Sequence, residues 1–297
     1  MPGTVGGVEV GVARLTEHQE AIQGMVDEIG IAEGHPPLGE HKYLALHRPQ
    51  EGMAGVGGWV DGRLVAFAPL ARDGAGRHVT ELVVAPYFRR TPNYQEILAG
   101  AVELARAEGG KELRVWIFHP GVVAAAVALG FVEERQLLRL EIDLPVAEIP
   151  DYPDAIEIVP FRQGEDEEAW LELNKRAFAR HPENGSWGLT ELAERMGQDW
   201  FSPENLLMAW DRDRLVGFNW LKPTEDLGEI YVIAVDPNAQ GGGLGRALLL
   251  DGLRRLDQLG SRRACLYVDA DNQRALRLYR DVGFFLDDVD QTLVKEL

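Results

Sequence analysis

The stretch with the clearest chemical potential is residues 229–250, EIYVIAVDPNAQGGGLGRALLL. Its apolar run predicts a strand that ends at Asp236-Pro237, and a helical pattern begins at Leu244. Glycines between them let the backbone approach a ligand closely, and the first N–H groups of a helix have no acceptor within it. The order strand, glycine loop, helix predicts a phosphate site, although such a loop can also be only a tight connection.

The composition indicates a globular protein of two domains. The chain has 297 residues, of which 45% are hydrophobic and 26% charged, enough to bury two ordinary cores. Its formal net charge of -18 disfavours a broad surface for nucleic acid or for an anionic membrane. The charge suits a small cationic or amine substrate, whereas a polyanionic ligand would need a local basic exception.

The remaining bulk features point to a cytoplasmic protein without a metal. Cys265 is the single cysteine, so neither an internal disulfide nor a cysteine-based metal site can form, and its apolar surroundings favour a buried thiol. The start MPGTVGGVEV lacks the regions of a signal peptide, and no apolar run approaches the roughly 20 residues of a membrane span. His35, His41 and His181 show no metal-ligand spacing.

The second half of the chain repeats the first. Three pairs of segments match at offsets of 151 to 153 residues: VDGRLVAF with DRDRLVGF, LVVAP with IAVDP, and ALGFVEE with DVGFFLD. We therefore expect an α+β fold of two tandem domains, 1–146 and 147–297, each a mixed, mainly antiparallel sheet flanked by helices. The proline-rich segment 144–155 is the predicted linker.

Aligning the repeats shows which half retains the phosphate loop. Residues 240–245, QGGGLG, fall opposite residues 89–94, RRTPNY. Proline thus replaces Gly243 and tyrosine replaces Gly245. Proline has no N–H to offer a phosphate, and a tyrosine side chain would crowd the approach. The second half is therefore predicted to hold the site.

A second polar pair distinguishes the halves further along. Asn272 and Tyr279, spaced by two helical turns, fall opposite His119 and Ala126. A tyrosine on an amphipathic helix is commonly a core residue, but its loss in the other half favours a chemical role. This comparison also places the predicted chemistry in the second half.

These residues resemble a GNAT-type N-acetyltransferase. Gln240, Gly243 and Gly245 match that family's pyrophosphate loop, Gln/Arg-x-x-Gly-x-Gly/Ala, and an Asn…Tyr helix follows the next strand. The tandem form with an active second half resembles the mycothiol synthase family, in AFARHPENGSW, GFNWLK, GEIYVIAVDPNAQGGGLG and LYVDADNQRALRLYRDVGF. The first half matches mainly at PPLGE (36–40) and ELVVAP.

The resemblance implies transfer of an acetyl group from acetyl-CoA to the cysteinyl amine of cysteinyl-glucosaminyl-inositol. It makes Glu229 the general base and Tyr279 the general acid for the departing thiolate. The implied CoA ligands are Ile233, Ala234, Val235, Gln240, Gly241, Gly242, Gly243, Leu244, Gly245, Arg246, Asn272, Gln273, Arg274, Ala275, Leu276 and Arg277. The implied acceptor contacts are Glu40, Glu183, Lys222, Glu229 and Tyr267.

Several alternatives stay open at the level of sequence. A tandem GNAT protein could acetylate another small amine, an aminoglycoside or a peptide N-terminus, and a non-enzymatic acetyl-CoA-binding regulator is a further reading. Loss of the glycine loop in the first half argues against a second acetyl-CoA there, so that half is expected to close the substrate cleft and stabilise the second. Because the repeat supplies a pseudo-dimer, we expect a monomer.

Overall fold

A computed structural model describes residues 3–5, 8–33, 38, 54–73, 76–117, 119–179, 185 and 187–297. The chain forms two compact units, one of residues 1–136 with 289–297 and the other of residues 137–288. Within the described ranges each unit combines a mainly antiparallel sheet with helices, so the predicted α+β class is confirmed. None of the helices in these ranges is long and apolar enough to cross a membrane.

The first unit contains most of the first repeat. Its strands are β1 Gly3–Val5, β2 Val8–Arg14, β3 Ala54–Val60, β4 Arg63–Arg72, β5 His78–Glu81, β6 Val83–Val84 and β7 Glu112–Ile117. Its helices are α1 Leu15–Glu33, α2 Thr91–Ala107 and α3 Pro120–Ala128. Neighbouring strands are antiparallel, except that β5 and β7 run parallel.

The second unit repeats this arrangement. Its strands are β8 Val132–Asp143, β9 Ile156–Pro160, β10 Leu206–Asp211, β11 Arg214–Lys222, β12 Leu227–Val235 and β13 Arg263–Asp269. Its helices are α4 Glu167–Ala177, α5 Leu189–Met196, α6 Leu244–Gln258 and α7 Gln273–Val282, and the final strand β14 is Phe285–Glu296. Here β12 and β13 are the parallel pair.

The last strand of each repeat completes the sheet of the other unit. Strand β8 ends the first repeat, yet its residues 137–143 pair with β13. Strand β14 ends the second repeat, yet its residues 291–296 pair with β7. Leu140 accordingly lies in the core of the second unit and Leu293 in that of the first. The units therefore do not coincide with the repeats 1–146 and 147–297.

Local sequence signals set most of the element boundaries. The Asp61-Gly62 turn joins β3 to β4 with positive φ at both residues (49° and 77°), as the hairpin signal predicts. Helix α2 begins at Thr91, because Pro92 suits a first helical turn. Helix α3 begins at Pro120, since His119 caps it by accepting a hydrogen bond from the Gly121 N–H (3.2 Å).

The two parallel strands of each unit separate after a short pairing. In the second unit, β12 pairs with β13 only from Leu227 to Glu229, and residues 230–235 continue along β11 alone. In the first unit, β5 pairs with β7 only as far as Glu81, after which β6 pairs with β4. Among the described strands, each separation leaves one side of a strand backbone without a neighbouring strand.

Candidate active site

The glycine loop lies where β12 diverges from β13 and leads into α6. Gly241 and Gly243 have φ of +102° and +87°, a region that favours glycine, and Gly243 is the N-cap residue of α6. A Cβ at Gly241, Gly242 or Gly243 would meet no heavy atom of the described residues within 4 Å. Gly243 makes no side-chain cap, so no side chain of the cap residue occupies the N-terminus of α6, which fits an anionic ligand there.

Gln240 connects this loop to both neighbouring elements. Its Nε2 donates to the Val235 carbonyl oxygen (3.2 Å), and its Oε1 accepts a hydrogen bond from Arg274 Nη1 in the first turn of α7. The structure thus brings together three predicted CoA ligands from the end of β12, the loop and α7. Gln240 therefore links the end of β12 to the start of α7 through two side-chain hydrogen bonds.

Arg246, an implied CoA ligand, forms an ion pair with a carboxylate of the same unit. Its Nε and Nη2 donate to Glu148 Oε1 and Oε2, both at 2.6 Å, in a two-pronged ion pair. This hydrogen bond lowers the pKa of Glu148 below its ordinary value. The sequence alone did not indicate this pairing, because Glu148 lies in the segment 144–155, far from the loop in sequence.

The proposed acid Tyr279 is a buried residue of α7, with 7% of its surface exposed. It packs in one core cluster with Ile230 and, at the cluster's margin, Ile233 of the separating strand β12. Burial raises the pKa of Tyr279 to about 12. The phenol is therefore neutral near pH 7 and retains a proton that it can donate.

Asn272 lies just before helix α7 and does not share a helical face with Tyr279. It is the N-cap residue, and its Oδ1 accepts a hydrogen bond from the Ala275 N–H (3.1 Å). His119 caps the equivalent helix of the first unit in the same way. Capping alone thus accounts for a polar residue at this position.

The other predicted ligands on α7 divide between surface and core. Gln273, Arg274 and Arg277 are exposed, and Gln273 Nε2 donates to the Ala270 carbonyl oxygen (2.8 Å). Ala275 is half-buried, and Leu276 belongs to the core cluster that contains Tyr279. The side chain of Leu276 therefore packs inside the protein, which leaves only its backbone for a ligand.

Glu229 lies where the parallel pairing ends. It pairs in register with Lys222 of β11 and Cys265 of β13 and is half-buried. Burial, and next the Glu229 carboxylate, raise the pKa of Cys265 to about 12. Cys265 is buried and remains a neutral thiol near pH 7, as the sequence indicates for a structural cysteine.

The predicted acceptor contacts lie in different surroundings. Lys222 Nζ lies over two aromatic rings, 5.0 Å from the Trp200 centroid and 5.7 Å from that of Tyr231. Tyr267 is 44% exposed on β13 and faces Arg139 of β8 in register. Glu40 and Glu183 lie outside the described residues, as do His35, His41 and His181.

Sequence reasoning missed the aromatic cluster beside Lys222. Five of the seven tryptophans fall between residues 170 and 220, and that density was an available signal. The cluster consists of Trp170, Trp187, Trp200, Phe201, Phe218, Trp220 and Tyr231.

Within the described ranges, no group of three or more His, Cys, Asp or Glu side chains is arranged to hold a metal.

The equivalent region of the first unit is filled by a side chain. Tyr94 stands in place of Gly245 and is buried, with 2% of its surface exposed. Its ring lies 6.2 Å from that of His119, and a Cβ at Gly121 would come within 3.0 Å of it. The Tyr94 ring thus lies against the start of α3, whereas Gly245 leaves the corresponding part of the second unit without a side chain.

Comparison with known proteins agrees with this geometry. The acetyltransferase (GNAT) family model matches residues 167–284, which contain the glycine loop, Glu229 and Tyr279. A GCN5-related N-acetyltransferase from Sphaerobacter thermophilus has a TM-score of 0.73 at 21% identity, covering 99% of this chain and 97% of that one. A tandem GNAT protein from the clavulanic acid biosynthesis pathway gives 0.72 at 17%, covering 97% and 98%. These two likenesses establish the fold.

Curated relatives establish the family. A mycothiol acetyltransferase of Geodermatophilus obscurus is 38% identical, over 91% of this chain and 92% of the relative. That of Acidothermus cellulolyticus is 40% identical over 88% and 86%, and that of Thermomonospora curvata 41% over 85% of each. The chain belongs to the GNAT family of acetyltransferases. The three relatives are mycothiol acetyltransferases, and the predicted family and enzyme class are confirmed.

Proposed function

We propose that this protein transfers the acetyl group of acetyl-CoA to the cysteinyl amine of cysteinyl-glucosaminyl-inositol, which yields mycothiol. The observation that carries the proposal is similarity to several mycothiol acetyltransferases across about nine-tenths of the chain, including the first repeat. Similarity confined to the second half would support only the reaction type, because one fold can serve many different substrates.

In this proposal the loop and the separating strand hold acetyl-CoA. The N–H groups at the start of α6, from Leu244 onward, bind the pyrophosphate, and Arg246 adds a positive charge. Backbone groups of Ile233, Ala234 and Val235 bind the pantetheine arm along the free side of β12. The open space around the three glycines supports this assignment, as does the link from Gln240 to Arg274.

Glu229 and Tyr279 are assigned to the two proton transfers. The acceptor ammonium must lose a proton before its nitrogen can attack the thioester carbonyl, and Glu229 accepts that proton, directly or through water. Collapse of the tetrahedral intermediate expels a thiolate, the Tyr279 hydroxyl protonates it, and the proton that the nitrogen loses as the amide forms returns to the Tyr279 phenolate. The core position of Tyr279 beside Ile230 and Ile233 of β12 supports the second role, because that strand is assigned to the pantetheine arm and thioester of acetyl-CoA.

The acceptor side is assigned to Lys222, Tyr267 and Glu229, with Glu40 and Glu183 as further contacts. Lys222 and Glu229 are register partners on adjacent strands, which supports their joint use. The first repeat is proposed to bind no acetyl-CoA of its own and to stabilise the second repeat. A monomeric state and a cytoplasmic location are part of the same proposal.

Release of CoA thiol from acetyl-CoA, measured with a panel of amines, tests this function. Cysteinyl-glucosaminyl-inositol should turn over with the highest kcat/KM, against aminoglycosides, polyamines and peptide N-termini. Turnover of another amine without turnover of this compound would refute the acceptor and retain the acetyltransferase. The cysteinyl compound with its amine already acetylated is the control for reaction at the thiol.

A further inference from the structure

Lys222 is held in place by the aromatic cluster beside it. Its ammonium lies 5.0 Å from the centroid of Trp200 and 5.7 Å from that of Tyr231, and these two rings are 4.9 Å apart with their planes inclined at 62°. A cation over aromatic faces is attracted by their negative centres. The flexible lysine stem is thereby restricted at the end of β11, opposite Glu229.

A β-bulge interrupts strand β12 at Tyr231. Trp220 of β11 pairs with Val232 and Leu221 pairs with Ile230, so Tyr231 is the extra residue of β12. Tyr231 and Val232 both pack with the aromatic cluster, although they are adjacent in sequence. Adjacent side chains of a regular strand would point to opposite faces. Because Glu229 pairs with Lys222, alternation along β12 already puts Tyr231 on the face that carries Lys222, and the bulge adds Val232 to that face.

Arg195 of helix α5 fixes the far end of the same ring. It is buried, with 6% of its surface exposed, and its Nε donates to the Tyr231 hydroxyl oxygen at 2.9 Å. Its guanidinium carbon lies 3.8 Å from the centroid of Trp187, and its Nη1 donates to the Glu191 carbonyl oxygen at 3.0 Å. The arginine therefore joins α5 to the bulged strand through an oriented hydrogen bond and a stacked ring.

We propose that Arg195 is a positioning residue for acceptor binding, acting through Tyr231 on Lys222. The hydrogen bond from Arg195 restrains the Tyr231 ring, and that ring presents its face to the Lys222 ammonium. Lys222 then meets the acceptor without first losing side-chain freedom, which favours binding. The inference rests on the proposed function, in which Lys222 contacts the acceptor. Arg195 itself touches no reacting atom.

The test compares steady-state kinetics of five variants, using the acceptor that the wild type turns over. Arg195→Gln is expected to raise KM for the acceptor about ten-fold, the usual size of one hydrogen bond to a charged group. KM for acetyl-CoA and kcat should stay within about two-fold, because the loop and the proton-transfer residues are untouched. Tyr231→Phe removes only the hydroxyl acceptor and should reproduce the Arg195→Gln effect, including when Arg195→Gln itself folds poorly.

The decisive arm is the double variant. In a Lys222→Met background, Arg195→Gln should cause no further rise in acceptor KM, since its effect passes through Lys222. Additive effects would overturn the inference and leave the acceptor role of Lys222 intact. An unchanged acceptor KM in Lys222→Met alone would overturn both, while thiol release would still report whether acetyl transfer itself occurs.

A matched control separates positioning from general loss of structure. Arg255→Gln removes a half-buried arginine of α6 whose Nε donates to Asn205 Oδ1 (3.3 Å). Because Arg255 makes no contact with Lys222 or Tyr231 in the described structure, its variant should leave the acceptor KM unchanged. An equal rise of acceptor KM in Arg255→Gln would overturn the specific role of Arg195.

Discussion

Glu148 and Arg246 form a two-pronged ion pair at the start of helix α6, with both N–O distances at 2.6 Å. The carboxylate belongs to the proline-rich segment after β8, and the guanidinium belongs to the first turn after the glycine loop. Arg246 is also the cation proposed for the CoA pyrophosphate. Ligand phosphate and Glu148 therefore compete for one planar fork of donors.

Removal of this competitor should strengthen CoA binding. Glu148→Gln is expected to lower the Kd for CoA about two- to five-fold at low salt, the range of a partly exposed ion pair. The difference should shrink at high ionic strength, because salt screens exposed charges. Calorimetry at two salt concentrations measures it, with Asp226→Asn, which removes the exposed partner of Arg262, as control. Weaker binding by Glu148→Gln would show that Glu148 orients Arg246 for the ligand.

Tyr279→Phe should lower kcat about 100-fold while KM for acetyl-CoA changes little, as expected for loss of a general acid. Only the hydroxyl is removed, so the packing of the ring in its core cluster is retained. Tyr152→Phe is the matched control, because Tyr152 donates to Asp251 Oδ2 (2.8 Å) on the same unit and has no assigned role. An unchanged kcat in Tyr279→Phe would remove the tyrosine from the mechanism.

The raised pKa of Tyr279 also predicts a pH dependence of stability. The phenol ionises near pH 10 in the unfolded chain and near pH 12 in the folded protein. Its burial therefore stabilises the fold fully below pH 10, and this contribution is lost as the pH rises from 10 to 12. The difference in unfolding free energy between wild type and Tyr279→Phe should stay constant up to pH 10 and change above it. Chemical denaturation at several pH values across this range measures the difference. A change that begins below pH 10 would contradict the burial of the phenol.

The two units should differ in CoA binding. Calorimetric titration is expected to give one CoA per chain, because Tyr94 and Pro92 occupy the first unit where the second has glycines. Gly245→Tyr gives the second unit the tyrosine that the first unit has at position 94, and it should abolish CoA binding. A Cβ at Gly245 would lie 3.6 Å from Val235 Cγ2, an ordinary contact, so the variant should fold. Two sites per chain would refute the assignment of the first unit.

The last strand of each repeat lies in the other unit's sheet, so a substitution in that strand should destabilise the unit that the strand joins. Leu293→Ala lies in the second repeat but should weaken the first unit, and Leu140→Ala lies in the first repeat but should weaken the second. Each of these substitutions should lower the free energy of unfolding by about 2–5 kcal/mol. Hydrogen exchange followed by mass spectrometry should show lost protection in α2 for Leu293→Ala and in α6 for Leu140→Ala. The opposite pattern would mean that each repeat keeps its own last strand.

The sequence by itself determined the repeated α+β fold, the glycine loop and the chemical class. These features depend on local patterns: alternating apolar residues, turn pairs such as Asp61-Gly62, and a glycine loop between a strand and a helix. Comparison of the two repeats also indicated where Tyr279 and Gly245 have no counterpart. Such signals are carried by neighbouring residues, so they can be read without knowing which distant segments meet.

Only the tertiary structure decided which strand completes each sheet and what surrounds the site residues. Strands β8 and β14 end equivalent repeats, and nothing in the residues themselves specifies which unit's sheet each one joins. The pairing of Arg246 with Glu148 and the support of Lys222 by Arg195 through Tyr231 likewise join segments far apart in sequence. Such contacts depend on how the chain folds back on itself.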